Sequence, residues 1–201
     1  MKNKKIFLSV FWMLLLVWGC SAGSQNNTGS ENSMTENSEK QDHDKNWQQV
    51  LAEKTPLDKD ELYKLFPEKL GEFPLILISD NPGTNGAIGS YCHESETSNL
   101  NRHITLTIID GAGYTGFQHI NEVYRMLESD YSEKNEKEWL RIEKLNNQKM
   151  IFRDKTSDDW AVSGISFLKN LRYHITLSGN RISTNDLRNP VNEILALKYP
   201  E

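Results

Sequence analysis

The residues with the most suggestive spacing are three glycines that follow an apolar, strand-like run. Gly111, Gly113 and Gly116 form the pattern G-x-G-x-x-G directly after residues 101–110, where a helix is predicted to begin. In dinucleotide-binding proteins this pattern lets the backbone approach a pyrophosphate, which the helix N-terminus then binds. Residues 111–116 are therefore a candidate anion or nucleotide site, with Asp110 as the nearest carboxylate.

Three observations argue against a dinucleotide site. The strand before the glycines alternates apolar and polar residues, which is typical of a half-buried antiparallel strand and not of a fully buried parallel one. No second strand ending in Asp or Glu follows the predicted helix at the required distance. The first 19 residues also predict export, which would take the chain away from the cytosolic nicotinamide pool. Glycines equally serve a tight turn with positive φ, and Asp110 can cap that turn, so we expect no bound cofactor.

Two histidines occupy equivalent places in a repeated tetrapeptide. His103 and His174 each begin the sequence His-Ile-Thr-Leu, and the same offset of 71 residues superposes two Asn-Glu pairs in the helices that follow. The similarity indicates either an old duplication or chance. On each strand His and Thr share one face, so adjacent strands would allow a pH-responsive or metal-binding patch. Separate, half-buried histidines are the alternative, and we expect no metal site.

The usual motifs of catalysis are missing from the sequence. There is no Cys-x-x-Cys, His-Glu-x-x-His, Gly-x-Ser-x-Gly or Walker motif. Of the two cysteines, Cys92 lies in a predicted strand, and we expect it to be a buried, inert thiol. The sequence therefore predicts a protein that is not an enzyme. The alternative is a hydrolase whose fold gathers His103, His119 or His174 with Asp110.

The elements that must position these residues are helices at both ends and in the middle, with strands between them. Helices are predicted near residues 47–51, from Asp58, over 115–129, and from Leu187 or Pro190 to Lys198, with Pro190 compatible with a first position capped by Asn189. Strands are predicted at 73–79, 86–93, 101–110, 138–145, 148–154, 159–168 and 171–178. Hairpin turns are expected at Asn146-Asn147 and Lys169-Asn170. This order predicts an α+β fold, an antiparallel meander sheet of six or seven strands with helices packed on it.

The N-terminus predicts export and anchoring. Lys2, Lys4 and Lys5 precede a stretch of 13 residues, 6–18, that is apolar apart from one serine, and Gly19-Cys20 follows at once. A helix of that length spans about 20 Å, too little for a hydrocarbon core of about 30 Å. Residues 17–20 resemble the lipobox of bacterial lipoproteins, and this resemblance implies that Cys20 is lipidated and becomes the new N-terminus. An ordinary signal peptide cut near Ala22 is the alternative.

The segment after Cys20 predicts a flexible tether. Residues 21–44 contain no aromatic or branched aliphatic residue, so they cannot bury enough apolar surface to order themselves. The predicted organisation is a signal peptide at 1–19, a lipidated Cys and disordered tether at 20–44, and one globular domain at 45–201. A coil of this length would hold the domain about 27 Å from the bilayer.

Charge excludes one class of partner. The chain has 23 basic and 28 acidic residues, and the signal peptide removes three lysines and no acid, which leaves 20 against 28. Such an acidic chain is no nucleic-acid binder. The lipid, and not attraction between basic residues and headgroups, would hold it at the membrane. We therefore expect a protein of the bacterial cell envelope, anchored by its lipid with the domain outside the cytoplasm.

The order of elements also carries a resemblance. Residues 65–73, Leu-Phe-Pro-Glu-Lys-Leu-Gly-Glu-Phe, lead into the first predicted strand. Together with the order helix, strands, helix, strand meander, helix, this segment resembles uncharacterised exported bacterial lipoproteins and the PsbP-like α/β/α sandwich. PsbP-like domains act by contact with protein partners and share no catalytic site. The resemblance implies a non-catalytic binding or accessory module, whose partner would be another envelope protein.

Overall fold

The computed structural model describes residues 47–93, 102–129, 131–156 and 161–201. The predicted signal peptide (1–19), Cys20 and the tether (20–44) lie outside these ranges. Within the described ranges, no helix combines the length and the apolar character that crossing a membrane requires.

In the described part of the chain, one open antiparallel sheet of nine strands forms the centre of the fold, which is α+β as predicted. Across the sheet the strands run in the order β1-β2-β3-β4-β9-β8-β7-β6-β5. In chain order they are β1 (Lys69–Leu70), β2 (Phe73–Asn81), β3 (Gly86–Cys92), β4 (His103–Asp110), β5 (Ser132–Lys134), β6 (Glu138–Leu145), β7 (Gln148–Thr156), β8 (Ala161–Lys169) and β9 (Tyr173–Asn180).

The sheet is larger than the six or seven strands predicted. It consists of two antiparallel ladders, β1–β4 and β5–β9, which join where β4 pairs with β9. The seven predicted strands are present as β2–β4 and β6–β9. The prediction missed β1 and β5, which are two and three residues long. A strand must be longer than this before alternation becomes visible in the sequence.

Helices cover both faces of the sheet. One face carries α1, described over residues 47–53, and α3 (Gly113–Glu128); we call it the α3 face. The opposite face, the α4 face, carries α2 (Lys59–Tyr63) and α4 (Thr184–Ala196). The helix α3 crosses its face because the chain must pass from β4, in the middle of the sheet, to β5 at the edge.

The main core lies on the α4 face. Alternate residues of β4 and β9 point into it and are fully buried, among them Ile104, Leu106, Ile175 and Leu177. The residues between them on the two strands are mostly polar and half-buried on the α3 face. This confirms the predicted alternation, because period-two patterns place apolar residues on one side of a sheet.

Two local predictions were wrong. The helix α4 begins at Thr184 and is capped by Ser183, whose side chain accepts from the Asp186 backbone N–H, so Pro190 lies inside the helix and Asn189 is not its cap. The predicted hairpin between β8 and β9 is present, but its turn lies one position later than Lys169-Asn170, with positive φ at Asn170 and Leu171.

The β6–β7 turn is as predicted. Asn146 and Asn147 both have positive φ, at 51° and 64°. This conformation matches the twist of a tight hairpin, and Asn tolerates it better than most residues.

Candidate functional site

The three glycines build the turn from β4 into α3. A Cβ on Gly111 would lie 2.1 Å from Ile120 Cγ1, and one on Gly116 would lie 2.7 Å from the Asp110 carbonyl oxygen. Gly113 has a φ of 79°, which favours glycine. Close packing and one positive φ therefore account for the G-x-G-x-x-G spacing without a phosphate ligand.

Asp110 forms a buried ion pair with Arg172 of the β8–β9 loop. Asp110 is 1% exposed, and Arg172 donates to it twice, from Nε at 2.8 Å and from Nη2 at 2.9 Å. The same carboxylate accepts the backbone N–H groups of Leu57, at 2.8 Å, and Ala112, at 3.0 Å. Arg172 Nη1 also donates to the Glu201 carbonyl at 2.8 Å. The pair thus links the α1–α2 connection, the start of α3, the β8–β9 loop and Glu201.

This pairing separates Asp110 from the histidines. Ile109 is the register partner of His174, so those two side chains share a face of the sheet. Asp110, the next residue along β4, points to the other face. Its oxygens already accept from Arg172 and from the N–H at the start of α3. Asp110 is therefore placed for structure and not for chemistry with His174.

His103 and His174 lie on neighbouring strands but far apart. The antiparallel register pairs His103 with Asn180, six residues beyond His174. At about 3.3 Å per residue, the two histidines are separated by roughly 20 Å along the strands. The patch that adjacent strands would have allowed does not form between them.

The structure instead brings His174 together with His119 of α3 and Ser166 of β8. His174 Nδ1 lies 2.7 Å from His119 Nε2, and His174 Nε2 lies 2.5 Å from Ser166 Oγ. Thr176 Oγ1 lies 3.1 Å from Ser166 Oγ and 3.3 Å from His174 Nε2. We call Ser166, His174 and His119 the hydroxyl–histidine cluster. All three residues are half-buried on the α3 face.

Sequence reasoning named His119 and His174 but missed Ser166. The available signal was the alternation in β8, where Ser166 stands between the buried residues Ile165 and Phe167 and so faces the polar side of the sheet. Only the register, which pairs Ser166 with Thr176, shows that this hydroxyl reaches His174.

Burial determines the protonation of the cluster. Burial, and to a lesser degree the neighbouring His119, lowers the pKa of His174 to about 4. Burial also lowers the pKa of His119, while the charge of Glu122 acts in the opposite direction. Both rings are therefore neutral at pH 7, and each has one donor and one acceptor nitrogen.

The lowered pKa of His174 should make the stability of the protein depend on pH. In the unfolded chain His titrates near pH 6.5, whereas in the folded protein the pKa is about 4. Above pH 6.5 His174 is unprotonated in both the folded and the unfolded state, so its titration does not reduce the unfolding free energy. Below pH 6.5 the unfolded chain binds the proton and the folded protein does not, so the unfolding free energy falls. We expect this group alone to remove about 3 kcal/mol of unfolding free energy between pH 7 and pH 4.

Denaturant unfolding of wild type and His174→Gln at several pH values measures this effect. The variant should lose less stability than wild type over that interval, because it lacks the His174 imidazole. The carboxylates titrate in both proteins and contribute equally to the loss. Replacing Thr105, half-buried in β4 on the same face of the sheet, by Val serves as the control, because it removes no titratable group and should leave the pH dependence of wild type unchanged. Parallel curves for wild type and His174→Gln would contradict the assignment.

A strand edge lies open at one end of the sheet. β1 pairs only with Phe73 and Pro74 of β2, so residues 76–81 have no outer strand partner in the described part of the chain. Ile76 is 51% exposed and Leu77 is 60% exposed. Residues 75–79, Leu-Ile-Leu-Ile-Ser, include no charge and no proline, the features that usually protect an edge. The opposite edge strand, β5, has the sequence Ser-Glu-Lys, and all three residues are exposed.

A groove of about 500 Å³ lies between α1 and the β8–β9 loop. Trp47, Val50 and Leu171 give it an apolar lining, with Lys54 and Arg172 as its cations. Val50 and Leu171 are 48% and 40% exposed, so the groove is open to solvent.

Among the residues described, no group of three or more His, Cys, Asp or Glu side chains is placed to hold a metal ion. The chain matches no protein-family model, no curated protein and no solved structure at a significant level.

Proposed function

We propose that this chain is a lipid-anchored protein of the bacterial cell envelope, whose domain acts as a binding or accessory module. The partner is another envelope protein, which adds an extended segment to the open edge of β2. The exposed apolar edge formed by Ile76 and Leu77 carries the proposal.

The binding mode follows from the backbone chemistry of a sheet edge. An unpaired edge presents N–H and C=O groups that pair with an incoming strand, while side chains on alternate positions give specificity. The register of β2 with β3 is irregular between Leu75 and Leu77 and regular from Leu77 to Asn81. This regular part has the length needed for a short added strand.

The contrast between the two edges supports the same proposal. The charged side chains of β5 discourage another strand from pairing there, whereas the only charged residue among residues 76–81 is Asp80, whose carboxylate is paired with Lys59. Unprotected apolar edges promote aggregation, so a protein that keeps one gains from having it covered by a partner.

The amino-acid sequence supports the proposed lipid anchor to the membrane. The cationic start, the short apolar run and Cys20 support lipidation, and residues 21–44 supply a flexible connection to the domain. A tethered domain samples the space beside the bilayer, where an envelope partner would be met.

Site-specific photocrosslinking in the native cell tests the binding site. A crosslinking residue at position 76 of the full chain should give a discrete protein adduct, and one at position 114 should not, although Tyr114 is 69% exposed. Adding Leu77→Lys should reduce the adduct about tenfold. Burying the leucine side chain contributes about 1–2 kcal/mol to binding, and about 1.4 kcal/mol corresponds to a tenfold change in affinity.

The matched control is Met126→Lys, which places a cation on α3, where Met126 is 43% exposed. It should leave the adduct unchanged. Equal adducts at positions 76 and 114, or equal effects of the two lysines, would argue against the β2 edge. Detection of lipid on Cys20 by mass spectrometry, and loss of membrane association in Cys20→Ser, test the anchor separately.

A further inference from the structure

The hydroxyl–histidine cluster has the connectivity of an activated nucleophile. A nucleophilic serine needs a base within hydrogen-bond reach and a third group that orients the base. Ser166 Oγ contacts His174 Nε2 at 2.5 Å, and His174 Nδ1 contacts His119 Nε2 at 2.7 Å. The two contacts use opposite nitrogens of one imidazole ring, as such a relay requires.

From this geometry we infer that Ser166 is a nucleophile with His174 as its general base and His119 as a positioning residue, at a site that hydrolyses small, uncharged acyl esters. This activity goes beyond the binding role proposed above, because it uses β8, β9 and α3 and not the edge of β2. It also replaces the predicted combination of histidines with Asp110, whose side chain lies on the opposite face.

One assignment of protons suits all three residues. The Ser166 hydroxyl donates to His174 Nε2, so the proton of neutral His174 sits on Nδ1. That N–H donates to His119 Nε2, whose own proton is then on Nδ1. His119 thereby holds the tautomer that leaves Nε2 free to act as the base.

The reaction then balances in two steps. Ser166 Oγ attacks the ester carbonyl carbon and its proton passes to His174 Nε2; the bond to the alcohol oxygen breaks, and the alcohol leaves with that proton. Water then attacks the acyl-serine, giving its proton to His174. His174 returns the proton to Ser166 Oγ as the carboxylic acid is released.

The surroundings of Ser166 set the substrate class. By register its neighbours are Ile151 of β7 and Thr176 of β9, one apolar and one neutral polar residue. His174 is flanked by Ile109 and Leu168. Such neighbours suit an uncharged acyl group, and a site half-buried on the α3 face suits a small one. The Thr176 hydroxyl, 3.1 Å from Ser166 Oγ, can donate to the developing oxyanion.

At pH 7 His174 Nε2 is unprotonated and able to accept the Ser166 proton, but the burial that lowers the pKa also makes His174 a weaker base than a free histidine. Burial keeps His174 neutral at pH 7, with a pKa of about 4. The titratable groups that act on this pair are the two histidines and Glu122 of α3. The register neighbours of Ser166 and His174 on β4, β7, β8 and β9 are not titratable; they are Ile109, Ile151, Leu168 and Thr176.

The test uses the full chain with a fluorophosphonate reagent and with p-nitrophenyl acetate. Mass spectrometry should find the phosphonyl group on Ser166 of wild type, and p-nitrophenolate should be released catalytically. Ser166→Ala should abolish both signals. His174→Gln should slow both by about 10² to 10⁴-fold, the usual contribution of a general base.

Two different substitutions of His119 test its role as a positioning residue. Gln can accept from His174 Nδ1 whereas Leu cannot, so His119→Gln should retain far more activity than His119→Leu. Because His119 lowers the pKa of His174, removing it should also move the acid limb of the pH profile upward. A purely structural role would give neither the rescue nor the shift.

Ser178→Ala is the matched control, since Ser178 lies on the same face of β9, four residues and about 13 Å from His174. It should behave as wild type. No adduct on Ser166 in folded wild type, or equal labelling of other serines, would overturn the assignment and leave the β2 edge proposal untouched.

Discussion

Asp110→Asn is expected to lower the free energy of unfolding by about 3–5 kcal/mol, the usual cost of breaking a buried ion pair from one side. The substitution keeps the shape of the side chain but leaves the guanidinium of Arg172 buried without a counter-charge. It also weakens the acceptors for the backbone N–H groups of Leu57 and Ala112. Denaturant unfolding followed by circular dichroism measures the loss.

Asp80→Asn is the control, because Asp80 pairs with Lys59 on the surface, where both side chains are more than half exposed. Surface pairs contribute little, so this variant should unfold close to wild type. Adding Arg172→Met to Asp110→Asn should recover part of the loss by removing the uncompensated charge. Equal losses for the two Asp variants would contradict the role of the buried pair.

The sequence predicted which faces residues occupy better than which residues meet. Alternation in β4 and β9 correctly placed His103 and His174 on the polar side of the sheet. Their separation could not be predicted, since it depends on the register between strands about 70 residues apart. A shift of register by any even number of residues preserves the face and changes every neighbour.

The hydroxyl–histidine cluster could not be predicted for the same reason. It joins three elements, and His119 reaches His174 only because α3 crosses the sheet on its way from β4 to β5. The periodicity of the strands alone would allow α3 to pack on either face of the sheet. The amphipathic pattern of α3 identified its buried side, including Ile120 and Val123, but not the strands beneath it.

The glycine motif shows a different limit. A tight turn was the correct interpretation, yet only Gly113 has a positive φ; Gly111 and Gly116 are needed because neighbouring atoms come too close for a Cβ. Gly116 lies against the backbone of Asp110 and Gly111, whereas Gly111 packs against Ile120 and Arg172, which lie 9 and 61 residues away from it. No local pattern reports these contacts.

Gly111→Ala is accordingly expected to lower the free energy of unfolding by about 3 kcal/mol, at the upper end for an overpacked site. The added Cβ would lie 2.1 Å from Ile120 Cγ1 and 2.6 Å from the Arg172 carbonyl oxygen. Neither neighbour moves easily, since Ile120 is a fully buried, β-branched residue and the Arg172 carbonyl accepts the Gly111 N–H at 2.8 Å. Thermal and denaturant unfolding both measure the loss.

Two other glycines separate steric overlap from backbone strain. Gly113→Ala places a Cβ at least 3.4 Å from its neighbours but keeps a φ of 79°, so it should cost about 1–2 kcal/mol. Gly164→Ala meets nothing closer than 3.6 Å and lies within β8, where alanine is favoured over glycine by about 0.5–1 kcal/mol. The expected order of stability is therefore Gly164→Ala, then Gly113→Ala, then Gly111→Ala. Any order that places Gly111→Ala above Gly113→Ala would mean that the β4–α3 turn is not packed as closely as the structure shows.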